Sequence, residues 1–155
     1  MTSPRRLLCL SAALLLATAG CSLTDDAVAI PVPTLSAEAA TVCRALHKEL
    51  PGSVDGQDSR TADPGSDFTA AWGDPAIVLR CGVPRPEKMG DPQAQGVDAD
   101  GVNWLHEPQE NGGQRFTSTY REAYVEITFP AKYAHDITPL AAFAGPVKKT
   151  VPSSL

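Results

Sequence analysis

The chain has no surplus of basic side chains: Asp and Glu number 18 against 13 Lys and Arg. Affinity for nucleic acid comes largely from Lys and Arg on phosphates, and a polybasic contact with an anionic membrane surface needs the same charge. Both partner classes are therefore excluded. Catalytic signatures are missing too, with no Gly-x-Ser-x-Gly elbow, no Ser-x-x-Lys, no His-Glu-x-x-His and no Gly-rich phosphate cradle. A triad assembled from distant residues would leave no such mark. Metal ligands are sparse: His47, His106 and His135 stand apart, without a second ligand at useful spacing. There is no Cys-x-x-Cys pair to suggest a redox site, no internal repeat, and nothing that calls for a cofactor. The one long uncharged stretch, Leu7 to Ala19, is too short to span a bilayer as a permanent helix.

That stretch has another use. Arg5 and Arg6 precede it and small residues follow, the order of a secretory signal. Its end, Thr18-Ala19-Gly20-Cys21, resembles the bacterial lipobox, in which small residues lead into a cysteine that is diacylated and becomes the new N-terminus. Thr18 departs from the aliphatic residue usual at that place. The resemblance implies a signal peptide over residues 1–20 and a lipid-bearing Cys21, with two acyl chains forming a stable anchor. The alternative is ordinary cleavage after Ala17 or Ala19, which gives a freely secreted protein. Arg5-Arg6 is also compatible with twin-arginine export. Removing residues 1–20 takes only basic charge away and leaves 18 acidic against 11 basic residues, a net charge of −7. Residues 21–34 contain Asp25, Asp26, Pro31 and Pro33 with little apolar periodicity, which suits a flexible tether. A single domain is expected over residues 35–155.

Of four cysteines, Cys9 leaves with the signal and Cys21 is used by lipid, so Cys43 and Cys81 remain. In an oxidising compartment such a pair is expected to be bridged. Closing a loop between residues 38 positions apart corresponds to about 4 kcal/mol of chain entropy.

With 14 Pro and 12 Gly, much of the chain is expected in turns and loops. Ser36 can cap a helix, Glu38 suits its first turn, and Ala39, Val42, Cys43, Leu46 and Leu50 recur at helical spacing until Pro51-Gly52. Residues 52–71 read as a long loop. After the turn Trp72-Gly73-Asp74-Pro75, the run Ala76 to Val83 reads as a strand, with Ile77, Leu79, Cys81 and Val83 on the face toward the helix. Residues 84–100 read as a second long loop. Strands follow at Gly101 to Glu107, Gln114 to Ser118 and Ala123 to Phe129, the last two paired around a turn near Tyr120 and Arg121. Val125, Ile127 and Phe129 share one face of the last strand, and Tyr124, Glu126 and Thr128 the other. Thr138-Pro139 starts a short helix with Ile137, Leu140, Ala141 and Ala144 as its stripe, ending at Gly145-Pro146. The expectation is an α+β domain: a small antiparallel sheet of about four strands, an N-terminal helix disulfide-linked to it, and a short C-terminal helix.

The run Ala71-Trp72-Gly73-Asp74-Pro75-Ala76-Ile77-Val78-Leu79-Arg80-Cys81-Gly82-Val83-Pro84 resembles the signature of an actinobacterial secreted-protein family, domain of unknown function 3515. Gly101-Val102-Asn103-Trp104 and Arg121 to Ile127 extend the resemblance over residues 42–151. It implies alanine-rich exported or lipid-anchored envelope proteins, and brings no activity or catalytic residues with it.

The candidate binding surface is Trp72, Asp74, Arg80 and Trp104. Arg80 points away from the disulfide face and either pairs across strands with a carboxylate such as Glu126 or joins Arg115 or Arg121 in a patch for carboxylate or phosphate. Asp74 caps its turn in the plainer reading. The tryptophans either stack sugars and dock peptides or complete a small core. The functional expectation is a lipid-anchored, non-catalytic envelope module for a protein or cell-wall partner. The alternative is a small envelope hydrolase using His106 or His135 with a loop carboxylate.

Overall fold

The computed structural model describes residues 27–155. The expected signal segment, Cys21 and the first part of the expected tether lie outside the described residues. The second part does not behave as a free tether. Strand β1 (Val28–Ala29) pairs in parallel with Ala62–Asp63, and Ile30 beside it is only 2% exposed. Among the described residues, contact with the domain is thus already made at Val28, seven residues before Leu35, because Val28 and Ile30 have apolar surface to bury.

Helix α1 (Ala37–Glu49) starts where expected: the Ser36 hydroxyl accepts a hydrogen bond from the Ala39 N–H at 3.2 Å. Ala40, Cys43 and Leu46 are its buried stripe, with Ala39, Val42 and Leu50 packed at the edge of the core. It ends because Leu50, which precedes a proline, is extended.

Six strands lie in segments read as tether or loop. β2 (Ser53–Val54) and β3 (Gln57–Arg60) form a hairpin around Asp55-Gly56, both with positive φ, the geometry of a two-residue turn. β4 (Ala62–Asp63) carries β1, and β5 (Thr69–Trp72) pairs with β3 and with β6 (Ile77–Cys81). β7 (Gln95–Ala99) turns at Asp100-Gly101, again with positive φ at both residues, into β8 (Val102–Pro108). β9 (Gln114–Ser118) and β10 (Val125–Phe129) complete the set.

The main sheet therefore has eight strands in the order β2-β3-β5-β6-β10-β9-β8-β7, beside the β1-β4 pair. This corrects the expectation of about four. The four expected strands are all present and lie together as β6, β10, β9 and β8. The four added ones flank them and are short, polar or small in sequence, so they carry no apolar alternation of their own. Two antiparallel meanders meet at the centre, where β6 pairs with β10.

Helix α2 (Ala141–Thr150) follows a single 3-10 turn, Thr138–Leu140, and continues through Gly145 and Pro146. The expected stop at Gly145-Pro146 is thus corrected. A proline inside a helix costs about 3 kcal/mol, while Phe143, Ala144 and Val147 are fully buried along this helix. Each of the two larger ones contributes about 1.5–3 kcal/mol, so continuing the helix prevails.

Both helices meet one face of the sheet. Cys43 of α1 is bonded to Cys81 of β6, and Phe143 of α2 meets the Trp72 ring edge-on at 5.3 Å between centroids. Gly82 is required at the end of β6: its φ is +84°, and a Cβ there would fall 1.7 Å from Leu35 Cδ2. At the far border of the core the Tyr133 hydroxyl donates to Asp55 Oδ2 at 3.0 Å. Burial first, then this bond, pushes the Tyr133 phenol up to about 12.

Candidate functional site

In a strand successive side chains point to opposite faces. Placing Ile77, Leu79 and Cys81 against the helices therefore sends Val78 and Arg80 to the second face, and Val125, Ile127 and Phe129 send Glu126 and Thr128 there. The register then decides which charges meet. Arg80 lies opposite Glu126, and Glu126 opposite Thr117. Arg115, two residues before Thr117, lies opposite Thr128 on one side and Glu107 on the other.

The result is a charge network across β6, β10, β9 and β8. Arg80 Nε donates to Glu126 Oε1 at 2.9 Å, and Arg115 Nε approaches Glu126 Oε2 at 3.6 Å. Glu126 is the buried member, 7% exposed, whereas the side chains of Arg80 and Arg115 are 29% and 38% exposed. A carboxylate loses hydration when buried and must be paired to stay charged, and the two guanidinium groups meet that need. Arg115 Nη2 also donates to Gln109 Oε1 at 2.9 Å. Among the described residues, four buried polar atoms in or beside the network have no hydrogen-bond partner: Arg115 Nε, Thr117 Oγ1, Glu107 Oε2 and Thr69 Oγ1, the last on the residue opposite Arg80.

A cleft of about 670 Å³ opens here, between the sheet and the segment that follows β6. Its basic side chains are Arg80, Arg85, Lys88 and Arg115, and its acidic ones Glu87, Asp91, Glu107 and Glu126. Charge is thus balanced. Along the rim Lys88 Nζ is bonded to Asp91 Oδ2, and Arg85 Nη2 donates to the Met89 carbonyl at 3.2 Å. The Lys88 bond, then the Gln93 N–H, holds the Asp91 carboxyl below its usual range. The short 3-10 turn Glu87–Gly90 gives this rim its shape.

Of the candidates named from sequence, Arg80 and its partner Glu126 are brought together, and Arg115 joins them. Arg121 does not: it donates to the Val151 carbonyl at 3.0 Å, tying down the C-terminal segment. Asp74 lies in the turn at the other end of β6, its side chain 88% exposed and 3.9 Å from Arg60 Nη1. Trp72 and Trp104 are each 1% exposed and belong to the core, so neither ring is offered to a sugar or peptide. Trp72 Nε1 donates to the Pro51 carbonyl at 2.9 Å. His106 stacks on Phe116 on the helix-side face, and no histidine lines the cleft. Among the described residues no group of three or more His, Cys, Asp or Glu is placed to hold a metal ion, and no helix is long and apolar enough to cross a membrane.

Glu107, Arg85 and Lys88 were not singled out from sequence. The available signal was alternation in β8, which sets Glu107 on the face of Leu105 once its pairing with β9 is known.

Compared with known proteins, the chain matches over residues 7–155 a family described as "Protein of unknown function (DUF3515)". No curated protein and no solved structure matches it. The chain belongs to this family.

Proposed function

We propose that this DUF3515 member is a lipid-anchored module on the outer face of a membrane, non-catalytic, which holds a ligand in the cleft over Arg80, Glu126 and Arg115. The observation that carries the binding role is the buried Glu126 between two arginines, in a cleft also lined by Glu107, to whose carboxylate no described residue donates. Burying a charge is costly, and removing one partner of the pair leaves it uncompensated. A concave site with convergent polar groups is the form a ligand site takes. Support for the location comes from the order of Arg5-Arg6, the uncharged stretch and Cys21, together with the Cys43–Cys81 bond, since structural disulfides persist mainly outside the reducing cytosol.

Two measurements test the reading. Intact mass of the membrane-extracted protein is expected to show residues 1–20 removed and Cys21 acylated, with Cys21→Ser releasing the chain from membranes. A photo-reactive residue in place of Arg85, at the cleft rim, is expected to capture a defined species in intact cells, while one in place of Asp74 captures none. Equal capture from both positions, or from neither, counts against the cleft as the binding site.

A further inference from the structure

We infer that the cleft takes a short peptide as a zwitterion, its terminal carboxylate on Arg80 and its protonated amine on Glu107. This rests on the cleft being the ligand site.

Three features lead there. The first is charge: four basic and four acidic side chains line one cleft, so a polyanion such as a phosphate chain meets carboxylates wherever it meets guanidinium groups. A molecule that is neutral overall but carries both signs meets no such conflict. The second is unmet bonding at two separate places. Arg80 spends Nε on Glu126, and no described residue takes its terminal nitrogens, which present the planar fork suited to a carboxylate. No described residue donates to the Glu107 carboxylate: its Oε2 is covered and without a partner, and the side chain, half-buried at the cleft wall, leaves the other oxygen for an ammonium group. Arg115, opposite Glu107 in register, is already engaged with Glu126 and Gln109.

The third feature is distance. Arg80 is on β6 and Glu107 on β8, with β10 and β9 between them. Through Glu126 and Thr117 the register partner of Arg80 on β8 is Leu105, two residues from Glu107, and three strand spacings with that offset make about 16 Å. An extended tripeptide covers about 10 Å, and the two long side chains bridge the remainder. A single amino acid is too short to reach both groups. A long peptide fits less well, since its charged ends then fall outside the cleft.

The test uses the full chain in detergent micelles with three probes: trialanine, N-acetyl-trialanine and trialanine amide, each titrated by calorimetry. Trialanine is expected to bind, and capping either end is expected to weaken it about tenfold or more, the effect of losing one charge-assisted contact. Glu107→Gln, a substitution on a half-buried side chain, is expected to erase discrimination against the acetylated probe while keeping discrimination against the amide. If the acetylated peptide binds as well as trialanine and the amide does not, the cleft is an anion site: the zwitterion inference falls and the cleft remains the binding site. If none of the three binds while the residue at position 85 still captures a ligand in cells, peptide recognition is overturned alone. Failure of both experiments removes the cleft as a site altogether.

Discussion

The two faces of the sheet are built from the same strands by alternate residues, and they are held by different forces. Toward the helices, Ile77, Leu79, Cys81, Val125, Ile127, Phe129 and Phe116 are buried in one continuous core with Trp72, Trp104 and Phe143. On the other face, β6, β10, β9 and β8 contribute Arg80, Glu126, Arg115 and Glu107. Apolar burial is non-directional and proportional to area, so the first face supplies stability. Charge pairs contribute little net stability, so the second face is the one left for the proposed ligand site. Substitutions on the two faces should therefore separate folding from binding.

The sharpest way to break this division is Trp72→Ala, which empties part of the core and removes the bond to the Pro51 carbonyl. About 5 kcal/mol of unfolding free energy should be lost in urea denaturation. A loss under 2 kcal/mol would mean the helix-side face is not the main source of stability. Next, replacing Cys43 and Cys81 together by Ser should cost about 4 kcal/mol, with the circular dichroism of the folded state retained. A smaller effect is expected on the second face. Arg80→Ala leaves Glu126 with Arg115 alone, and because both guanidinium groups are partly exposed the cost is discounted to about 1–2 kcal/mol. Replacing Arg80 and Glu126 together should cost less than the sum of the single replacements, since no buried carboxylate is then left underpaired. A strictly additive result would show that the pair is not coupled.

The slightest effect lies at the border of the core. Tyr133 should ionise near pH 12 rather than 10 when followed by its ultraviolet absorbance. Asp55→Asn should bring the midpoint down only part of the way, because burial is the larger cause. A raised folded-state value favours the neutral phenol, so this contribution is complete below pH 10 and fades between 10 and 12. A midpoint at the ordinary value in the unaltered protein would show that Tyr133 is open to water.

Much of the central fold was legible because its signals are local. Ser36, the three-or-four spacing after it and Pro51 define α1 without reference to any other part of the chain. The β-branched alternation of β6 and β10 does the same for the middle of the sheet. The flanking strands carry little signal of their own, because Gln57–Arg60 and Gln95–Ala99 contain few apolar residues and each becomes a strand through its neighbour. Asp55-Gly56 and Asp100-Gly101 were their local signal: each is a two-residue turn that specifies a hairpin. Arg80 with Glu126 was foreseeable from alternation plus pairing. The tryptophans were ambiguous, since a buried and an exposed indole look alike in sequence.

What the amino-acid order determined alone was which segments become helix α1 and the four central strands, that Cys43 and Cys81 are a pair, and which family the chain joins. These depend on neighbours within a turn or a strand length, or on counting. Tertiary structure alone decided that the two meanders meet at β6 and β10, that Val28 to Ile30 return to the domain, and that Arg85, Lys88 and Glu107 share a cleft with Arg80. Those outcomes depend on contacts between residues far apart in sequence, where register and burial rather than local preference select the arrangement.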